Sequence, residues 1–414
     1  MSIAEIAVAT AGRRHTLDLD RMPENPWPKL PHELRGRVRD CDSHLILPPE
    51  VTYDILGPEL GEPMRRKRQM QYRMLDGVGP LPRDGAAVWG LKGTMCHGAH
   101  DACERLEILD EMGVDQQLVF GSGMASIFWS EPEVAYPAAE RFNRFAADWA
   151  AADPDRLRPA AVVPCRTPAR AFALAKQAVE LGLKAVQLAF YPDFEPEPSS
   201  EEWESLWSLL SSSGVPALIH WDMRWALIER AGQATKLHLR SGQRLEESDG
   251  AASTEALARQ LSSHDRQGAF DDFAVMTVHK TPEQFLSSLA LGGVFRRYPE
   301  LRVGVFECTS YWVAPWLERL DALELVLTGS PSDGVRLSDQ VRRSLRITPL
   351  YGEQFGQQLR TCGLDDVFVF GTDFPHPEGG VQPLQEVFGQ LGHEPGDDLE
   401  RVLVHNAEEL FPAG

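Results

Sequence analysis

Two apolar segments, one near each end of the 414-residue chain, end in acidic residues and histidines. Residues 38–44 place Asp42 and His44 two positions apart, so both side chains leave the same face of an extended strand. Residues 367–376 present Asp373 and His376 in a similar way at the other end of the chain. These two strand ends can meet only if the chain closes on itself, as an α/β barrel does. A metal ion held between them is the simplest reason for such a meeting.

The composition favours one large folded domain. Barrels with insertions can exceed about 400 residues as a single domain. A hydrophobic content of 43%, with 10 Trp and 18 Phe, supplies a large core. The formal charge of −20 argues against nucleic acid or an anionic membrane surface as a partner, because both would repel the chain.

The six cysteines are scattered and form no C-x-x-C pair. The N-terminus lacks an apolar run of signal-peptide length, and no window approaches the roughly 18 apolar residues of a membrane span. We therefore expect reduced thiols and a cytoplasmic location.

The spacing of apolar residues predicts an α/β fold, specifically a (β/α)8 TIM barrel with long insertions after strands 1 and 5. A proline-rich arm, residues 1–37, precedes the barrel domain, residues 38–414. The insertions, residues 46–100 and 222–273, follow strand ends and are expected to wall or cover the pocket. The predicted strands are residues 38–44, 117–121, 157–164, 184–190, 216–220, 302–307, 345–349 and 367–373.

Helix boundaries can be predicted at three places. A helix over residues 102–112 should end at Gly113, and one over 168–181 should begin after Thr167 as its N-cap. Residues 281–284 (T-P-E-Q) resemble a capping box that opens a helix running to about Leu291.

Carboxylates and imidazoles collect at the predicted strand ends. Such groups bind zinc, manganese or iron, and the lack of cysteine among them argues against a closed structural zinc site. A lone histidine is more often structural, but several convergent positions reverse that expectation. The candidate metal ligands are Asp42, His44, His220, Glu307, Asp373 and His376.

The chain resembles the amidohydrolase superfamily, in its amidohydrolase-2 branch, which includes aminocarboxymuconate-semialdehyde decarboxylase and γ-resorcylate decarboxylase. The resemblance spans residues 39–411 and rests on Asp42-x-His44 and on four further motifs. These are V-P-A-L-I-H (215–220), G-V-F-R-R-Y-P-E-L (293–301), G-T-D-F-P-H (371–376) and H-N-A (405–407).

The resemblance implies a distorted barrel whose metal is held by Asp42, His44, His220 and Asp373. Two positions depart from the family pattern. Asp42 replaces the first histidine of the commoner H-x-H pair, which makes the site harder and shifts its preference from zinc toward iron or manganese. Glu307 stands where the decarboxylases have a histidine thought to transfer protons.

A third carboxylate could hold a second cation, which leads to our first functional expectation. The expected site is a carboxylate-bridged centre with two Fe ions. Its ligands would be Asp42, His44, His220, Glu307 and Asp373, completed by His376 or His279. The chain is also similar to actinobacterial natural-product enzymes of this fold, which include the non-heme di-iron diterpenoid hydroxylase of platensimycin and platencin biosynthesis. The expectation is an O2-dependent monooxygenase that hydroxylates an apolar organic acid or ester and needs an electron-donor protein.

Two alternatives stay open. One is a mononuclear metal-dependent hydrolase or decarboxylase, with Zn or Mn, in which Asp373 or Glu307 takes the proton. The other is a barrel that has lost its chemistry and serves as a binding protein. His279 is a further candidate for catalysis or substrate contact.

Aromatic residues just beyond the strand ends could line a substrate pocket, although loop packing explains each of them equally well. Trp221, Tyr311 and Phe374 are the candidates. Arg224 could hold a substrate carboxylate or phosphate, or could form a surface salt bridge. The small-molecule substrate cannot be named from the sequence. The arm and the family resemblance favour a homo-oligomer, a dimer in the simplest case.

Overall fold

The computed structural model describes residues 29–76, 93, 96–190, 195–221, 276–331, 334–376, 379 and 382–411. Most of the predicted arm and the whole second insertion, including Arg224, lie outside these residues. The division into an arm and a barrel domain therefore stays a prediction. No helix in the described ranges is long and apolar enough to span a membrane.

Parallel strands form a curled sheet in which neighbours in the sequence are neighbours in space. The register pairs each strand with the next, except that β2 extends the line of β1 and also pairs with β3. Strands such as β4 and β5 are buried at every position, as expected for a parallel sheet covered on both faces. The strands are β1 (Val38–Asp40), β2 (His44–Leu45), β3 (Val114–Gly121), β4 (Leu157–Pro164), β5 (Ala185–Ala189), β6 (Ala217–His220), β7 (Val303–Phe306) and β8 (Leu345–Ile347).

Residues 367–374 close the sheet between its last and first strands. On one side, Val369 N donates to Ile347 O over 3.0 Å. On the other side, Cys41 N donates to Phe370 O over 2.8 Å and Ser43 bridges in parallel to Phe374. We call residues 367–374 the closing segment. The barrel predicted from the sequence is thus confirmed.

The sequence predicts one continuous strand over residues 38–44. In the structure this strand is broken into β1 and β2. The cause is local, because Asp42 N donates to the Asp40 side chain (3.1 Å) rather than to a neighbouring strand. The break turns Asp42 and His44 toward the end of the barrel.

Helices cover the outside of the sheet. The helix over residues 102–112 ends at Gly113 (φ 73°), as predicted, and Asp101 caps its start by accepting from Glu104 N. The helix after Thr167 begins at Pro168 as expected, and it ends at Glu180. The helices of eight or more residues are α1 (Pro49–Asp76, interrupted at Gly57), α2 (Ala102–Met112), α3 (Pro132–Ala150), α4 (Pro168–Glu180), α5 (Glu204–Ser213), α6 (Lys280–Leu291), α7 (Val313–Thr328), α8 (Leu337–Ser344), α9 (Phe355–Cys362) and α10 (Pro383–Leu391).

The predicted capping box at residues 281–284 is wrong. Helix α6 begins at Lys280, its N-cap is His279, and no side chain caps it. The His279 carbonyl accepts from Glu283 N (3.0 Å), so the first helical bond forms two residues before the predicted start.

The inside of the barrel is filled by side chains rather than open. One buried cluster contains inward-facing residues from five strands and the closing segment. Residues near the C-terminal end of the described chain also belong to it. Its members are Cys41, Leu118, Phe120, Ala160, Ala185, Leu218, Phe306, Val369, Ala407, Leu410 and Phe411.

A buried carboxylate ties the first strand to the closing segment. Asp40 accepts from Thr372 N (2.9 Å), Thr372 Oγ1 (2.6 Å), Asp42 N (3.1 Å) and Gln117 Nε2 (2.7 Å). Burial raises the pKa of Asp40 to about 7, although the hydrogen bonds from Thr372 and Gln117 favour its charged form.

Gln117 links this carboxylate to a fully buried guanidinium. Arg105 donates to Gln117 Oε1 (2.8 Å), to His44 O (2.7 Å) and to Gly98 O (2.6 Å). The amide of Gln117 therefore accepts from a cation on one side and donates to a carboxylate on the other. Such a network is stabilising only when all its members are satisfied.

Replacing Gln117 by Leu should destabilise the fold, because Arg105 and Asp40 would each lose a buried partner. We expect the free energy of unfolding to fall by about 2–6 kcal/mol, at about 1–3 kcal/mol for each unsatisfied group. Denaturant titration would measure this change. The matched control is Gln177→Leu, since Gln177 is half-buried and donates only to Glu140. It should change the free energy by less than about 0.5 kcal/mol. Equal effects of the two variants would contradict the role of the network.

Candidate metal centre

All six predicted ligands lie at the carboxyl ends of strands, on one end of the barrel. Asp42 and His44 come from the broken first strand, and His220 is the last residue of β6. Glu307 follows β7 directly, and Asp373 and His376 lie at the end of the closing segment. In parallel barrels this end carries the active site.

Four of these side chains point their polar atoms at a common space around His44. His44 Nε2 lies 3.0 Å from Asp373 Oδ1 and 3.7 Å from Asp42 Oδ1. His220 Nε2 lies 3.3 Å from Asp42 Oδ1, and the His44 and His220 rings meet edge to face. Two groups of ligand atoms could hold a metal ion, Asp42 with His44 and His220, and His44 with Asp373 and His376.

The polar atoms in this space fit a cation. Asp42 Oδ1, His44 Nε2, His220 Nε2 and Asp373 Oδ1 are buried, and none forms a hydrogen bond of good geometry within the described chain. Buried polar atoms are nearly always satisfied, so four such atoms in one place need an explanation. A divalent ion with oxygen and imidazole ligands supplies one, and the donor set suits manganese, iron or zinc.

Burial and mutual charge shift the titration of these groups. Burial raises the pKa of the Asp42 carboxyl group, and it lowers the pKa of the His44 imidazole well below its usual range. Burial alone would also raise the pKa of Asp373, but the facing His376 and His44 imidazoles outweigh it and lower that pKa.

Backbone geometry explains how the closing segment reaches Asp42. A Cβ atom on Gly371 would lie 2.7 Å from Asp42 Cβ and 2.9 Å from Thr348 Cγ2, so only glycine permits this approach. Asp373 N then donates to Asp42 O over 2.7 Å. Asp373 and Glu307 have left-handed φ values of 50° and 58°. Such strained conformations cluster at functional sites.

Glu307 lies beside the four converging residues. Its Oε2 atom is 3.8 Å from His220 Nε2, and its backbone N donates to Thr348 Oγ1 over 3.4 Å. Thr348 Oγ1 in turn donates to Asp42 Oδ2 over 3.4 Å. Glu307 therefore borders the site, and it lines the adjoining cavity.

His376 lies on the outer side of His44, and the two rings stack with centroids 3.7 Å apart. His376 Nδ1 is 3.1 Å from Asp373 Oδ1. On the opposite edge of the ring, Nε2 is 3.1 Å from the hydroxyl of Ser122, which follows β3. Both ring nitrogens thus face protein groups.

A cavity of about 190 Å³ opens beside Asp42, Glu307 and Asp373. Trp221 lines it, and its role as a substrate contact stays a prediction. The described residues of its wall are mostly apolar, and they include Val278, Tyr351, Phe355, Val369, Phe370, Pro383, Val387 and Val402.

The other predicted substrate and catalytic residues lie elsewhere. Tyr311 is 55% exposed, and its hydroxyl accepts from Gln354 N. Phe374 is buried against the Arg105 guanidinium, 4.8 Å away, behind the site. His279 is the half-buried N-cap of α6, outside both groups of ligand atoms. The functional roles of these three residues, and of Arg224 outside the described ranges, stay predictions.

Sequence reasoning missed four polar residues that border or support the site. Asp40 and Gln117 carried no distinguishing signal, because each has a polar neighbour in its own strand, Arg39 beside Asp40 and Gln116 beside Gln117. Ser122 did carry one, because it stands between two glycines directly after a strand. Glu386 lies in the wall of the cavity but had no recognisable pattern.

Comparison with known proteins supports the barrel and its family. A search of curated protein sequences gave no match. Among solved structures, an amidohydrolase from Mycobacterium avium subsp. paratuberculosis is 20% identical with a TM-score of 0.59, over 91% of this chain and 99% of that one. The 5-carboxyvanillate decarboxylase of Sphingomonas paucimobilis is 17% identical with a TM-score of 0.56, over 91% and 98%.

A third structure was solved with its metal. It is a dihydroxybenzoic acid decarboxylase from Polaromonas with bound manganese, 15% identical with a TM-score of 0.54, over 91% of this chain and 96% of that one. At these identities the likeness shows the fold alone. The predicted similarity to the di-iron hydroxylase stays a prediction.

The family itself is shown by sequence. A family model described as amidohydrolase matches residues 40–413, from the carboxylate that supports Asp42 to the end of the barrel. That match and the parallel barrel lead to the same conclusion: this chain belongs to the amidohydrolase family.

Proposed function

We propose that this chain is a mononuclear, divalent-metal-dependent decarboxylase or related C–C lyase that acts on a small, largely apolar carboxylic acid. The observation that carries the proposal is the convergence of the buried ligand atoms around His44 Nε2, which is 3.0 Å from Asp373 Oδ1 and 3.7 Å from Asp42 Oδ1. Asp42, His44, His220 and Asp373 would hold one ion. The decarboxylases among the structural neighbours, one of them with manganese, support this reaction class.

The bound ion would supply positive charge that orients and polarises a substrate oxygen. The mostly apolar wall of the cavity solvates a carboxylate less well than water does, which favours loss of that charge as CO2. Glu307 would donate a proton to the carbon that loses CO2 and would then recover a proton from solvent. Its carboxyl group would thus transfer the proton that a histidine is thought to transfer in the related decarboxylases.

Hydrolysis of a neutral ester, lactone or amide is the second candidate. The described wall of the cavity carries four carboxylates, Asp42, Glu307, Asp373 and Glu386, and no described residue in it is cationic. An excess of negative charge favours an uncharged substrate over an anion. Glu307 or Asp373 would then take the proton of the attacking water.

The O2-dependent hydroxylase expected first from the sequence receives no support from the comparisons. It requires two iron ions and an electron donor, whereas the reaction proposed here uses one ion. The number of metal ions per chain and the requirement for oxygen distinguish the hydroxylase from the mononuclear decarboxylase.

We expect about one divalent ion per chain, because four ligands satisfy one four-coordinate site. Plasma mass spectrometry on protein expressed with manganese or iron and purified without chelators would measure this. His220→Ala should lose most of the metal, whereas His393→Ala, at an exposed histidine outside both groups of ligand atoms, should retain it. Two irons per chain would favour the hydroxylase instead.

We also expect turnover without oxygen. The wild-type protein should release CO2 from at least one member of a panel of hydroxybenzoates, including 2,6-dihydroxybenzoate and 5-carboxyvanillate, under anaerobic conditions. Hydrolysis of neutral aryl esters and lactones without CO2 release would favour the second candidate. Turnover that stops when oxygen is removed would contradict both.

Glu307→Gln should keep the metal but reduce kcat by about 10²–10⁴-fold, because the amide cannot transfer the proton. The matched control is Glu324→Gln on α7, a buried carboxylate that accepts from Leu337 N and lies outside the cavity. It should leave kcat unchanged. Loss of metal in Glu307→Gln would instead make Glu307 a ligand, and an unchanged kcat would remove it from the mechanism.

A further inference from the structure

We propose that Glu386 binds a protonated amine, so that the substrate of this cavity is a small carboxylic acid that also carries an ammonium group. The inference deepens the proposed function and rests on it in one respect, because it places the carboxyl group of the substrate at the candidate ion. It concerns a carboxylate that the proposed reaction does not use.

Glu386 lies in the first turn of α10, in the wall of the cavity beside the candidate metal centre. The same wall contains Pro383 and Val387 from that helix and Phe355 from α9, all of them buried. A carboxylate among apolar groups is solvated less well than in water, and burial raises the pKa of the Glu386 carboxyl group. A bound cation would replace the stabilisation that water no longer supplies.

The Glu386 carboxylate has one hydrogen-bond partner among the described residues. Its Oε1 atom accepts from Gly352 N, in the loop before α9, over 2.6 Å. No lysine, arginine or histidine of the described ranges forms an ion pair with it. The side chain is half-buried, so the backbone contact fixes its position while Oε2 stays available to a ligand in the cavity.

The charges around the cavity leave Glu386 without a counter-charge once one ion is bound. The described wall contains four carboxylates and no cationic residue. Asp42 and Asp373 would balance a divalent ion, and Glu307 would carry a proton in the proposed reaction. The charge of Glu386 would then repel the carboxylate of a simple acid. An ammonium group on the same molecule turns this repulsion into an attraction.

A hydroxyl group is the alternative donor for Oε2. It would form a hydrogen bond but would leave the charge of Glu386 uncompensated in the apolar wall. An ammonium group supplies the hydrogen bond and the opposite charge together, and charge-assisted hydrogen bonds are roughly twice as strong as neutral ones. The amine is therefore the better match to this position.

The experiment compares the binding of small probes to the full-length, metal-loaded protein by isothermal titration calorimetry. The probes are 4-(aminomethyl)benzoate, 4-(hydroxymethyl)benzoate and 4-methylbenzoate, together with their 3-substituted isomers. We expect at least one aminomethyl isomer to bind at least about 10-fold more tightly than the hydroxymethyl and methyl compounds of the same substitution pattern.

Glu386→Gln should reduce that preference to less than about 2-fold, because the amide keeps an acceptor for Gly352 N but loses the charge. The matched control is Asp153→Asn. Asp153 is a half-buried carboxylate that also accepts from backbone N atoms, those of Asp155 and Arg156, and it lies outside the cavity. Its preference for the amine should equal that of the wild type, and thermal melting would confirm that each variant is folded.

His220→Ala separates this proposal from the proposed function. Loss of the ion should weaken the binding of every probe but should keep the preference for the amine, because Glu386 stays in place. A protein that binds no metal or releases no CO2 would contradict the proposed function without removing that preference. The ammonium site is overturned if no aminomethyl isomer binds more tightly than its hydroxymethyl counterpart, or if Glu386→Gln retains the full preference.

Discussion

The Asp40 carboxylate is the contact on which both the closure of the barrel and the candidate metal centre depend. It accepts hydrogen bonds from Asp42 N, in the first strand, and from Thr372, next to Asp373 in the closing segment. The backbone of Asp42 and that of the residue before Asp373 are thus held by one side chain. Gln117 donates to that side chain, and Arg105 donates both to Gln117 and to the carbonyl of His44. Partners of this kind orient metal ligands and tune their affinity.

One carboxylate at this end of the barrel faces two imidazoles. Asp373 Oδ1 lies 3.0 Å from His44 Nε2 and 3.1 Å from His376 Nδ1. The left-handed backbone of Asp373 and the absence of a side chain at Gly371 make this position possible. Asp373 therefore connects His44, inside the candidate metal centre, with His376 on its outer side.

Much of the fold was readable from the sequence, because the pattern of strand ends in a parallel barrel is simple. Because the carboxyl ends of the strands meet on one side, the sequence predicts a cluster there that contains Asp42, His44, His220 and Asp373. The start of α6 was not readable, since a backbone carbonyl at His279 rather than the Thr281 side chain begins it. Tyr311 and Phe374 lie beyond the ends of regular strands, where the alternation of side chains no longer predicts direction.

The long-range contacts of the supporting network and of Ser122 were not readable for a different reason. Asp40 and Thr372 are 332 positions apart, and Ser122 and His376 are 254 apart, so only the closed barrel brings them together. No local periodicity encodes such a pair. The left-handed turn at Asp373, which aims His376 at Ser122, also has no signature in residue type.

The late position of the closing segment determines when the site can form during synthesis. A ribosome-bound chain carries Asp42 and His44 long before Asp373 has been made, and until then the first strand lacks its neighbour on one side. A nascent barrel would therefore expose an unpaired strand edge together with a half-formed set of metal ligands. The complete set of proposed ligands would therefore exist only after nearly the whole chain had been synthesised.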